Sequence, residues 1–210
     1  MITNPHRRKQ IEEFTDKDHA VMHEFYEITG EVTDRKKLKA EMQRLIKEDP
    51  LFFDSYIVLA EMLLYEGKDA ESRSVIREAY EKAVWQIADK DGNWPKEMAW
   101  GWLENRHLMR AIDEYAQQLW GEGKTDEALD ILRRLLKANP RDNQGVRHSI
   151  LAIRLGLTPA YEDQFMVKDG PMAGQALEAG PLHAWFEKHA KDFPDEFDWL
   201  LKLYRKWDKE

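Results

Sequence analysis

LENRHLMRAIDEYAQQLWGEGKTDEALDILRRLLKANPRDNQGVRHSILAIRLG, residues 103–156, decides the fold. Counted from Gly123, the small or apolar residues Ile112, Tyr115, Ala116 and Leu119 share one helical face before the glycine. Ala128 and Leu132 share another after it, and Pro140 closes the second helix. Gly123 supplies the left-handed turn between the two helices. The stretch is an antiparallel helix pair followed by the opening of another, in which Val146, Ile150 and Ile153 repeat the first-helix pattern.

The same register recurs upstream. Pro50 precedes Gly67 by the distance that separates Gly123 from Pro140. With Gly67 as anchor, Tyr56, Leu59, Ala60 and Leu63 take the first-helix positions, and Ser72, Ile76 and Ala79 the second. Leu38 and Met42 match the second helix of a unit before that. The spacing is that of the tetratricopeptide repeat, W-x2-L-G-x2-Y…A-x3-F…P, with a period of about 34 residues. The chain resembles tetratricopeptide proteins from about Leu38 to Phe165. The blocks GNWPKEMAWGWLENRH, GEGKTDEALDILRRLLKANP and RDNQGVRHSILAIRLG are similar to a bacterial family of that class. The resemblance implies an all-α fold, an α-solenoid of about ten to twelve helices in antiparallel pairs. It further implies a concave groove for a peptide or partner helix, with no cofactor and no catalytic residue.

One domain, 1–210, is expected. It comprises a degenerate amino-terminal unit at 15–50, a repeat at 51–88, a tryptophan-rich insert at 89–104, a repeat at 105–140, a degenerate repeat at 141–167 and capping helices at 181–208. Thr15 reads as the N-cap of a helix that Gly30 stops. DKDGNWP is a turn, and residues 95–104 read as a short helix leading into the long one. Thr158-Pro159 opens a second helix with Tyr161 and Phe165 inward. Residues rich in Gly and Pro then form a loop before the last two helices, which Phe193-Pro194 separates.

Composition narrows the function. Charged residues are 34% and apolar ones 42%, a globular balance. There is no cysteine, which removes disulfides, thiolate catalysis and zinc–thiolate sites and favours a cytoplasmic home. The net charge of −8 argues against nucleic acid and anionic membranes as partners. MITNPHRRKQ has no apolar core of a secretory signal. Four of the eight tryptophans, Trp85, Trp94, Trp100 and Trp102, lie close together. Core filling is the preferred reading, with Trp100 or Trp102 mostly buried. An exposed hot spot, for a partner or for self-assembly, is the other.

Several polar groups invite a chemical reading. Asp89-x-Asp91-x-Asn93 has calcium-loop spacing, but Trp94 and Trp100 stand where glycine and a bidentate glutamate are needed. His19 and His23, with Glu27 a turn on, could share a metal, although they flank an apolar stripe and read better as its edge. Glu104, Asn105, Arg106 and His107 fan around a helix start. They read first as a buried network tying the insert to the stack. The sharper alternative is a ligand pocket, enzymatic or sensory, shared with Asn143 and His148. The resemblance implies that the small Gly145 lets another helix approach closely. No phosphate-loop, dinucleotide or nucleophile-elbow motif is present, and no catalytic or metal residue is assigned.

The resemblance supplies groove positions. They are Asp54, Ile57, Glu61 and Leu64 in the Gly67 unit, Arg110, Asp113, Gln117 and Trp120 in the Gly123 unit, and Gln144, Arg147, Leu151 and Arg154 in the third. The groove should grade from acidic and apolar to basic, and the basic end suits an acidic peptide through paired arginine donors. The arginines could instead pair with local acids or with terminal helices folded back upon them.

Overall fold

The computed structural model describes residues 2–7 and 9–209; Met1, Arg8 and Glu210 lie outside the described residues. The chain is all-helical, with no named strand among the described residues. In order, α1 spans Val21–Glu31, α2 Arg35–Glu48, α3 Asp54–Tyr65, α4 Asp69–Ile87, α5 Leu103–Gly121, α6 Thr125–Ala138 and α7 Val146–Arg154. A 3-10 helix at Pro159–Phe165, α8 at Ala179–His189, a short 3-10 turn and α9 at Pro194–Trp207 complete it. Each helix from α1 to α7 packs on the next, and α3 also touches α5. Helices α8 and α9 follow on the far side of α7.

The three glycine anchors are built alike. Gly67 and Gly123 have φ of 72° and 78°, a region open to glycine at little steric cost. Lys68 N–H returns to Leu63 C=O and Lys124 N–H to Leu119 C=O, each 2.9 Å. Leu157 N–H does the same to Ala152 at the third anchor. These are Schellman caps, which satisfy the last carbonyls of one helix while reversing the chain into the next. The predicted faces are the core: Ile112, Ala116, Leu119, Ala128, Leu132 and Ile150 are all buried.

Four local readings are corrected. The first helix begins at Val21, not after Thr15: the arm up to His19 is not helical, and Asp16 gives its backbone N–H to the Asn105 side chain at 2.9 Å. Gly30 lies inside α1 rather than ending it. Residues 95–102 are not helical: Lys96 and Glu97 pair with Ile11 and Glu12, and Phe14 N–H donates to Glu97 C=O at 2.8 Å. The insert thus satisfies its backbone against the amino-terminal arm. Beyond Pro159 only a 3-10 helix forms, although Tyr161 and Phe165 are buried as expected.

The tryptophans divide differently as well. Trp94 is the buried one, with the Arg134 guanidinium 4.2 Å from its ring centre. Trp100 is half-buried, while Trp85 and Trp102 are exposed. Gly145 is needed for its φ of 80° rather than for helix approach, since an added Cβ would meet only its own helix's His148.

Candidate functional site

The polar residues at the start of α5 fan out as helical geometry demands. Asn105 is wholly buried and His107 nearly so, whereas Glu104 and Arg106 are half-buried. Asn105 accepts from Asp16 N–H at 2.9 Å and donates to Phe14 C=O and Ala99 C=O at 2.9 and 3.1 Å. His107 Nδ1 accepts from Phe53 N–H at 3.1 Å, so its Nε2 carries the proton and donates to Asp16 at 3.1 Å. His19 is buried with both ring nitrogens on carboxylates, Asp49 at 2.7 Å and Asp16 at 3.0 Å. Burial would lower the His19 pKa, but the two carboxylates outweigh it and raise it. Burial lowers that of His107. Burial would raise Asp16, yet the bonds from His107 and His19 hold it well below the usual carboxylate range. The arrangement is therefore an imidazolium between two carboxylates, beside a neutral imidazole.

Asp16, His19 and His107 also bring three ligand-type atoms together. A metal would need the lone pair of His107 Nε2, placing the ring proton on Nδ1 against the Phe53 N–H. Two donors would then face each other, so this network reads as structural. His23 and Glu27 are exposed and take no part. Asp89 is likewise occupied: it accepts from Asp91 N–H, Asn93 N–H and Asn93 Nδ2, the turn chemistry of an aspartate rather than a calcium loop. Asn143 is exposed and His148 is buried against Phe186, with a pKa lowered to about 3 by burial and Arg147. Neither joins the Glu104–His107 residues through a hydrogen bond.

The groove positions sort by partner. Arg110 clamps Asp54 with two donors, one at 2.8 Å. Arg147 is taken by Asp142 at 2.8 Å and lies over Phe186 and Tyr204 of the terminal helices. Arg154 binds Asp195 and Glu196 of α9 at 2.9 and 2.7 Å, and Arg133 grips the same Glu196. Trp120 and Leu151 are core, and Gln144 is half-buried. The basic end is thus neutralised, partly by the terminal helices themselves.

What stays open is acidic. Asp113 on α5 accepts from Gln117 Nε2 at 3.0 Å, and Gln117 also reaches Ser149 at 3.2 Å. No lysine or arginine among the described residues comes within 4.0 Å of Glu61, Asp113 or Glu114. Glu61 and Glu114 are open to water, yet neighbouring helices displace part of their hydration and raise both pKa values. Asp113 rises furthest, to about 7, through burial and then the nearby Glu114, Asp142 and Glu162. Beside them a recess of about 350 Å³ opens between α3, α4 and α5, with Ile57, Ala60 and Ile76 among its walls and the exposed Leu64 at its side.

Comparison with protein-family models, curated proteins and solved structures gives no match. No described helix is long and apolar enough to cross a membrane.

Proposed function

We propose that the chain is a non-catalytic, tetratricopeptide-type adaptor of the cytoplasm that holds a cationic, amphipathic segment of a partner protein on the face of α3 and α5. The observation that carries this reading is the charge division of the expected groove. Its arginines are each engaged by an acid, whereas Glu61, Asp113 and Glu114 have no cation within 4.0 Å among the described residues. The recess beside the last of these offers apolar walls for a leucine-sized side chain. A lysine or arginine brought to Asp113 or Glu114 would stabilise the charged carboxylates that enclosure now penalises. An apolar anchor beside complementary charge is the pattern of helix-in-groove recognition. The occupant favoured by these side chains is basic, the reverse of the acidic peptide expected from the arginines alone. The pocket reading at Glu104–His107 loses support, because Asn105 and His107 are closed to solvent and committed to the arm.

The test uses labelled helical peptides with leucine at helical spacing and lysine, glutamine or glutamate elsewhere. The lysine peptide is expected to bind, more weakly as salt rises. Glu61→Lys with Glu114→Lys should weaken it by about tenfold or more while the helical spectrum stays unchanged. Equal binding of the glutamate peptide, or undiminished binding by the folded double variant, would overturn the reading.

A further inference from the structure

We infer that the recess between the insert and α6 is a second binding site, for a small molecule that ends in a carboxylate or phosphate group. The recess encloses about 510 Å³ and is walled by Gln10 of the arm, Gly92, Trp94 and Lys96 of the insert, and Arg134 and Lys137 of α6. That volume falls in the range of small-ligand sites, about 300–1,000 Å³.

Gln10 Nε2 is spent on Trp94 C=O at 2.7 Å, which leaves Arg134, the Trp94 indole N–H and Lys137 as the donors with capacity to spare. The Arg134 guanidinium sits over the Trp94 ring, 4.2 Å from its centre, and donates one bond, to Gly92 C=O at 2.6 Å. It forms no ion pair within 4.0 Å among the described residues, although Asp130 sits one turn earlier on the same helix. Enclosure without a carboxylate partner lowers its pKa. The Trp94 indole N–H is buried and has no acceptor among the described residues. A buried donor left without an acceptor is costly, so such a group asks for an explanation. Among the described residues Lys137 also has no acid within ion-pair distance, and Lys96 is held by Glu12 at 2.9 Å at the rim. The acids are Asp91, which is engaged by Lys90, and Asp130. With Lys96 and Asp91 thus neutralised, Arg134 and Lys137 outnumber Asp130. The planar guanidinium fork, held over the Trp94 ring, suits two-point recognition of a carboxylate or phosphate. The site lies on α6 and the insert, away from α3, so it neither requires nor excludes the adaptor reading.

The experiment follows the Trp94 indole N–H by proton–nitrogen correlation NMR while succinate or inorganic phosphate is added. Sodium chloride at matched ionic strength serves as control. One or both probes should shift the Trp94 signal saturably below about 10 mM, and whichever does so names the preferred group. Arg134→Gln should weaken the effect by about tenfold or more, and Arg134→Lys by less, since charge remains and the fork is lost. If Arg134→Gln loosens the insert, Lys137→Gln on the outer face keeps the test alive and should weaken binding severalfold with an otherwise unchanged spectrum. A Trp94 signal that neither probe moves beyond the chloride control would overturn the inference. So would shifts that persist undiminished in both folded glutamine variants.

Discussion

Replacing Asn105 by alanine tests how the amino-terminal arm belongs to the fold. The wild-type side chain is fully buried and makes three hydrogen bonds, to Asp16 N–H, Phe14 C=O and Ala99 C=O. Each is worth about 1 kcal/mol net, so their loss alone costs about 3 kcal/mol. The three backbone groups would also be left buried without partners, which adds to the cost unless the arm lifts and lets water in. Lifting also breaks the Asp16 bonds to His19 and His107, so the two routes converge on about 3–5 kcal/mol. At about 2–4 °C per kcal/mol for a chain of this size, the melting point should fall by about 6–20 °C. Urea unfolding with the helical signal gives the free energy, and brief trypsin treatment reads cleavage after Lys17. Wild type should resist cleavage there and Asn105→Ala should not. A variant within about 0.5 kcal/mol of wild type, with Lys17 still protected, would refute the view that Asn105 fastens the arm.

Leu132 is fully buried in α6, so Leu132→Ala should destabilise by about 2–5 kcal/mol in the same urea assay. Asp113 has a folded pKa raised from 3.8 to about 7, so the folded state holds a proton that the unfolded chain releases. Stability contributed at this site is complete below 3.8 and is lost as pH rises to about 7; Asp113→Asn should therefore gain on wild type between pH 4 and 8, measured by denaturation at each pH. His19 is raised above 6.5, so its contribution is complete below that value and fades on the alkaline side, where Lys17 should become more open to trypsin. His19→Gln should abolish that alkaline change while lowering stability at pH 6.

The helix pairs were legible because Gly67, Gly123 and Pro140 are local signals whose spacing repeats. Each glycine encodes its own turn, and the apolar face beside it needs only a neighbour to cover it. Asp16 carries no such mark. Its neighbours Asp18 and Asp49 look the same in sequence, and only the fold brings His19, Gln86, Asn105 and His107 to it. The arm's pairing with residues 96 and 97 was hidden for the same reason, since PKEMAWGW has helical composition and long-range backbone bonds override it. Placing Asn105 and His107 in a buried network that ties the insert to the stack was correct as far as it went; the arm was the missing partner. Of the expected groove positions, Asp113 and Gln117 share one side of α5 and bond to each other, as their spacing of four requires. At Arg154 the terminal helix folds back as the second reading of the arginines allowed, although no local signal names Glu196 on α9 as the partner.

Amide-shift mapping of the chain with the lysine–leucine peptide tests the central functional claim most directly. Shifts are predicted to cluster on α3 and α5, at Ile57, Glu61, Asp113, Glu114 and Gln117, and to vanish in Glu61→Lys with Glu114→Lys. Shifts confined to α6 and the insert, or none at peptide concentrations where the lysine residues alone would saturate a charged groove, would contradict the account.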